Sequence, residues 1–181
     1  GIDTLHGNIG NDILFGGTGA DNLYGNEGAN IFKYNSFDES TVSDSDTIYG
    51  FTSQDKIDLS QLGVSHINEL TIPKSFGDTL ISINGNNNFQ IKLQGDHSTK
   101  LANENSFILA NAAPDNTSPI NNTPDNTSPT NNTSDNATLT DNTTQINTNQ
   151  LDENITDFTA TLEQDSVTGN TRNNTIHGLS G

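Results

Sequence analysis

Three consecutive nonapeptides, GNIGNDILF (7–15), GGTGADNLY (16–24) and GNEGANIFK (25–33), decide how this chain folds. They recur with a period of nine, and a fixed internal period marks a repeat architecture. In the same register residues 1–6, GIDTLH, are positions four to nine of a further copy. Position one holds Gly7, Gly16 and Gly25, and position four holds Gly1, Gly10, Gly19 and Gly28. Position six holds Asp3, Asp12, Asp21 and Asn30. Position eight holds Leu5, Leu14, Leu23 and Phe32, and only there does every copy carry a large apolar side chain.

This register resembles the glycine- and aspartate-rich nonapeptide of RTX proteins, G-G-x-G-x-D-x-U-x, which builds calcium-binding parallel β-rolls. The resemblance implies six residues of turn and three of strand per copy, with position eight pointing inward. Glycine suits turn positions that need positive φ or leave no room for a Cβ. Successive copies lie on alternate sides of such a roll, so copies two apart stack. Asp3 then pairs with Asp21, and Asp12 with Asn30. The resemblance further implies Ca²⁺ between stacked turns, held by Asp3, Asp12, Asp21 and Asn30 and by the turn carbonyls of Gly1, Gly10, Gly19 and Gly28. Calcium takes six to eight oxygen ligands, which suits such a cage. The Asp12–Asn30 pair offers one carboxylate fewer and is expected to bind more weakly. Stacked aspartates without a cation would repel one another.

After Phe32 the period is expected to break. DTIYGF (46–51) leads into DKIDLSQLGV (55–64), followed by TLISI (79–83), NFQIKL (88–93) and SFILA (106–110). Their apolar–polar alternation, bounded by Gly85, Asn86 and Gly95, reads as strands. A parallel roll needs a cap on its last turn, so residues 34–110 are expected to close it with antiparallel strands and a short turn at 58–62. The D-T-I-x-x-F…D-K-I-D-L-S stretch resembles the segment that follows the repeats in type I-secreted proteins, serralysin-type peptidases among them. FQIKLQGDHSTKLANENSFILA (89–110) resembles the closing strands of R-modules from bacterial mannuronan C-5-epimerases. Those are extracellular, calcium-dependent enzymes acting on alginate. The fold class expected is all-β: a parallel β-roll of calcium-binding nonapeptides, capped by antiparallel strands and followed by a disordered linker.

The rest of the chain differs in composition. From Pro114 a ten-residue unit recurs, PDNTSPINNT, PDNTSPTNNT, SDNATLTDNT, built almost wholly of Asn, Thr, Ser, Pro and Asp. Such side chains offer too little apolar area to offset chain entropy, so residues 111–150 are read as a disordered linker. Its Asn-x-Ser/Thr triplets fit glycosylation acceptors, but a segment made of Asn and Thr generates them by chance. Leu151, Ile155, Phe158 and Leu162 are spaced for a short amphipathic helix or for an extended lead-in. The final GNTRNNTIHGLSG (169–181) puts Gly169 and Gly178 at position one, with Arg172 in place of glycine and Asn174 in place of aspartate. Residues 151–181 are therefore read as the lead-in and first, degenerate repeat of a following module, with calcium binding there in doubt.

Composition bounds the function. The 181 residues carry 6 Lys and Arg against 23 Asp and Glu, a formal charge of −17, and only 29% are hydrophobic. Residues 1–110 alone hold 14 acids and five lysines. Nucleic acid needs a basic surface, so it is excluded as a partner. No run of about 18 apolar residues exists to span a membrane. There is no Cys, so a secreted chain would need a metal staple instead of disulfides. The chain starts at Gly1 rather than Met and reads as a fragment. H-E-x-x-H and G-x-S-x-G are absent, and His6, His66, His97 and His177 lack zinc-ligand spacing. His6 and His177 fall at the outward position nine and are read as surface residues. Asp55 and Asp58 are read as turn caps or ligands of a cap cation rather than an acid–base pair.

No catalytic residue is assigned. The function expected is a non-catalytic R-module of a secreted, extracellular mannuronan C-5-epimerase, folding on Ca²⁺ and assisting alginate binding. The alternative is a structural or secretion module of another RTX exoprotein, such as a peptidase, lipase or adhesin, handled by the type I secretion machinery. Lys92 and Lys100, among Lys33, Lys56 and Lys74, are the candidate contacts to alginate or another anionic polysaccharide.

Overall fold

The position-eight side chains turn inward as the periodicity requires: Leu5, Leu14, Leu23 and Phe32 are at most 1% exposed. Each is the second residue of a short strand: β1 (Thr4–Ile9), β2 (Ile13–Phe15), β3 (Asn22–Glu27) and β4 (Ile31–Lys33). The structure, a computed structural model, describes residues 1–73, 77–102, 104–110, 138–140, 157–159 and 166–178. Alternate copies pair in parallel: Leu5 lies opposite Leu23, and Leu14 opposite Phe32. Two parallel stacks thus face each other across one apolar core. Burying a Leu or Phe side chain contributes about 1.5–3 kcal/mol, and this row supplies one such side chain per strand.

The roll runs further than the sequence suggests. After Lys33 the chain makes a longer excursion, then β5 (Thr47–Tyr49) pairs in parallel with β3, and β6 (Lys56–Asp58) with β4. Ile48 stacks on Leu23 and Ile57 on Phe32, both fully buried. Residues 46–58 are therefore another layer of the roll and not the start of an antiparallel cap. The antiparallel part is β7 (Leu70–Thr71), β8 (Thr79–Ile83) and β9 (Gln90–Leu93). Strand β9 also lies parallel on β5, and β10 (Phe107–Ile108) parallel on β6, so the cap grows directly from the last layer. The turn expected at 58–62 is a 3-10 helix, Ser60–Leu62, closed by Gly63 at φ 75°.

The other end of the roll is covered as well. Strands β11 (Thr138–Thr140), β12 (Asp157–Thr159), β13 (Ser166–Thr168) and β14 (Thr175–His177) are all parallel. Strand β13 pairs with β1 and β14 with β2, so the sheets run β13-β1-β3-β5-β9-β8-β7 and β10-β6-β4-β2-β14-β12-β11. Residues 166–178, read as the opening of a following module, pair with this roll: β13 is the outer strand of one sheet, and β14 lies between β2 and β12 in the other. Most of the segment read as a linker lies outside the described residues, as do Leu151, Ile155 and Leu162. Phe158 is in a strand and fully buried.

Candidate metal-binding turns

Each position-six residue is fully or almost fully buried and binds the layer beside it. The Asp3 N–H donates to Asp21 Oδ1 at 2.7 Å, and the Asp21 N–H to Asp46 Oδ1 at 2.9 Å. On the other side the Asn174 N–H donates to Asp12 Oδ1 (2.6 Å), Asp12 to Asn30 Oδ1 (3.0 Å) and Asn30 to Asp55 Oδ1 (2.9 Å). The backbone carbonyls return the bond: Asp3, Asp12, Asp21 and Asn30 accept from Asn22, Ile31, Thr47 and Lys56. Two columns result, Asp3–Asp21–Asp46 and Asn174–Asp12–Asn30–Asp55.

Asp46 was not singled out from the sequence, and Asp55 was read there as a turn cap or cap-cation ligand rather than as a position-six residue. They are nine apart, and Ile48 and Ile57 each follow by two, which repeats the position-six to position-eight spacing. That phase was hidden by the insertion after Lys33. Asp55 also caps its own turn, Oδ2 accepting from the Thr52 N–H and hydroxyl. Asp58 holds Ser60 and pairs with Lys33 at 3.5 Å.

The position-four glycines line up between layers. Gly10, Gly19 and Gly28 have φ of 140°, 131° and 122°. A Cβ on Gly19 would overlap the Gly1 carbonyl oxygen, and one on Gly28 that of Gly10. Glycine is required there by conformation and by contact.

The donor set fits a hard cation. Only one carboxylate oxygen of each pair is used by the backbone: Oδ2 of Asp12, Asp21 and Asp46 is buried and accepts no hydrogen bond. Burying an unpaired carboxylate is costly. A Cβ on Gly16 would sit 2.6 Å from Asp21 Oδ2 and 3.0 Å from Asp46 Oδ2, so both oxygens face one small cradle that glycine keeps open. Among the described residues no three His, Cys, Asp or Glu side chains gather into a cage. A cation there must draw further ligands from turn carbonyls, as the oxygen-rich coordination of calcium allows.

Electrostatics point the same way. Burial, and then the neighbouring Asp3, pushes Asp21 up to about 7. Burial and the Asp21 charge hold Asp46 well above the usual carboxylate range. Asp12 is raised by burial, against the opposing bonds from Asn174. The Asn174 turn is different. Its Nδ2 donates to Asp12 Oδ1 at 3.0 Å and to the Arg172 carbonyl at 2.6 Å, so its amide donor is already satisfied without a metal.

The remaining candidates lie elsewhere. Lys92 is on β9, its strand paired with β5 at Thr47, and Lys100 opens a separate 3-10 helix; Lys74 is outside the described residues. His6 and His177 are only partly on the surface. Their rings stack on Tyr24 at 4.3 Å and on Phe15 at 4.2 Å, and burial lowers both pKa values.

Comparison with known proteins agrees with this geometry. Residues 5–105 match the family model of the peptidase M10 serralysin C terminal, and residues 160–181 that of the RTX calcium-binding nonapeptide repeat (4 copies). Among solved structures, the chain is similar to the solution structure of the AlgE6R2 subunit from the Azotobacter vinelandii mannuronan C5-epimerase. Identity is 26% and the TM-score 0.50, over 62% of this chain and 91% of that one. No curated protein matches the chain.

Proposed function

The chain belongs to the peptidase M10 serralysin C-terminal family and carries a calcium-binding RTX module like an epimerase R-module; from that premise we propose that it is a non-catalytic module that folds on Ca²⁺ outside the cell. The observation that carries this is the pair of buried carboxylate oxygens of Asp21 and Asp46 over the Gly16 cradle. Asp3, Asp12, Asp21 and Asn30 would hold calcium, with Asp46 and Asp55 as further members, and the carbonyls of Gly1, Gly10, Gly19 and Gly28 would complete the shell. When bound, calcium supplies the positive charge that the buried carboxylates lack. Residues 1–110 would be the module body and 111–150 its linker.

The likeness to a mannuronan C5-epimerase subunit supports the finer reading, in which the module helps a parent enzyme hold alginate. A polyuronate would meet a strongly acidic module, so binding needs local cations: Lys92, Lys100 or calcium itself. The test is NMR shift mapping of the calcium-loaded chain with mannuronan oligomers at low salt. Shifts around Lys92 and Lys100 that neutral glucans do not produce are expected. Their absence would favour a second reading, supported by the serralysin match: a structural or secretion module of an exported peptidase, lipase or adhesin.

A further inference from the structure

Counting on by nine from Gly7, Gly16 and Gly25, the next position one is Tyr34. Its backbone keeps that role. The Tyr34 N–H donates to the Asp58 carbonyl at 3.1 Å, as the Gly169 N–H does to that of His6 at 2.6 Å. Gly16 and Tyr34 are 18 apart, the separation of stacked partners such as Leu5 and Leu23. What changes is the side chain. A Cβ on Gly16 would lie 2.6 Å from Asp21 Oδ2, the position-six side chain of its own turn. Strict register would put position six of the Tyr34 turn at Glu39, but that place in the column is held by Asp46, seven residues later. The longer turn admits a tyrosine where the other turns hold glycine.

Tyr34 is 1% exposed, and its ring packs edge-on against Phe89 at 5.7 Å and 87°. Its hydroxyl is buried and makes no well-aligned hydrogen bond among the described residues. A buried hydroxyl left in that state is costly. Burial and then Asp46 hold the phenol well above its usual range, and Asp21 and Glu39 add to the effect. The group is thus a neutral donor facing carboxylates. Asp46 feels it in return: against burial and the Asp21 charge, the Tyr34 hydroxyl acts to lower the Asp46 pKa. The next partner of Asp46 is neutral too. Asp3 and Asp21 each give their N–H to a carboxylate of the next layer, whereas the Asp46 N–H goes to the Ser40 hydroxyl at 2.9 Å. Ser40 is fully buried and donates to the Gln90 carbonyl of the cap. The Asp3–Asp21–Asp46 column therefore ends on two hydroxyls, and that of Tyr34 is the one left without a partner.

We propose that Tyr34 is a positioning residue of the Asp21–Asp46 gap: its hydroxyl donates to the Asp46 carboxylate, aims Oδ2 at the Gly16 cradle and stands where a water would otherwise reach the cation. The proposal rests on the calcium-binding reading of that gap. Partners that hydrogen-bond a ligating carboxylate fix its orientation and control solvent access to the ion. The gap at Asp46 thereby differs from the turns of Gly7, Gly16 and Gly25, whose position-one residues bring no side chain. A cation held beside Tyr34 is the driest on the roll.

The chain has three tyrosines, Tyr24, Tyr34 and Tyr49, and no Trp. Tyr24 and Tyr49 are partly exposed and stack on each other at 4.4 Å. Terbium, which like calcium takes oxygen ligands, emits when a nearby tyrosine is excited. Titrated into the full chain, it should give tyrosine-sensitised emission that excess calcium removes. The Tyr24→Phe/Tyr49→Phe double variant should keep most of this signal, and Tyr34→Phe should lose it. Under direct excitation, lifetimes in H2O and D2O count the waters on the ion. Tyr34→Phe should add about one water to the longest-lived component, because a buried polar site relieved of a hydroxyl takes up water. Calcium affinity should fall roughly tenfold, while amides of residues 47–58 stay protected from exchange in saturating calcium. A double variant without emission, or a Tyr34→Phe chain that keeps it, places the ion away from Tyr34 and overturns the proposal. The double variant decides this whether or not Tyr34→Phe folds. Weaker calcium binding with an unchanged water count overturns the positioning role and leaves Tyr34 a packing residue. A full chain that takes up neither ion by calorimetry overturns the functional reading, and the proposal with it.

Discussion

Asp21 lies between Asp3 and Asp46 at 1% exposure, with its carboxyl pushed up to about 7 by burial and by Asp3. An unfolded aspartate titrates near 3.9. Between roughly pH 4 and 7 the metal-free fold therefore holds more protons than the unfolded chain, and its stability falls as pH rises through that window. The expected outcome is that the chain, stripped of calcium, shows more β signal by circular dichroism at pH 5 than at pH 8. A signal that grows with pH would contradict this. The same logic ranks substitutions. Asp21→Ala removes a charge from a two-carboxylate gap and should lower calcium affinity by tenfold or more on the order of the tuning known for oxygen-ligand sites. Asn30→Ala removes a neutral oxygen and should cost only a few-fold; calorimetric titration of both compares them. Equal losses would mean that the two columns are equivalent. At this scale the sequence was informative where its period was unbroken. Asp3, Asp12, Asp21 and Asn30 could be read directly, whereas the insertion hid Asp46 and the position-six phase of Asp55, which was read only as a turn cap or cap-cation ligand. The ring stacks of His6 and His177 could not be foreseen, because outward-facing side chains on adjacent strands meet only once the layers are in register.

Strands show why the roll continues past Lys33. A parallel layer needs an apolar residue facing in and a bonding group at position six, and 46–48 and 55–57 supply both. Antiparallel strand pairing is carried by β7–β9, where the alternation comes from residues without position-six carboxylates. Leu23 stacks between Leu5 and Ile48 in the middle of one sheet. Leu23→Ala should destabilise the calcium-loaded fold by about 2–5 kcal/mol, read from urea unfolding in saturating calcium. A loss under 1 kcal/mol would show that the position-eight row is not the core. Gly28→Ala should be harmful for a different reason. Its φ of 122° and the Gly10 carbonyl leave no place for a Cβ, so the turn itself must shift, and calcium affinity should fall together with stability. An unchanged calcium titration would contradict that.

Across the whole molecule, periodicity identified the repeats but not their order in space. Nothing in GNTRNNTIHG (169–178) tells which roll edge it will join, since any nonapeptide fits any edge in register; the pairing of β14 with β2 emerges only from the stacked layers. The central claim concerns what holds those layers together. Hydrophobic residues are only 29% of the chain, while two columns of buried position-six residues run along the turns. Metal binding of this kind is folding free energy. Far-UV circular dichroism of the full chain in chelator at pH 7.5, then in millimolar Ca²⁺, tests it most directly. The prediction is a spectrum without β structure in chelator and recovery of the β signal with calcium. A β signal that is the same in chelator and in calcium would contradict it.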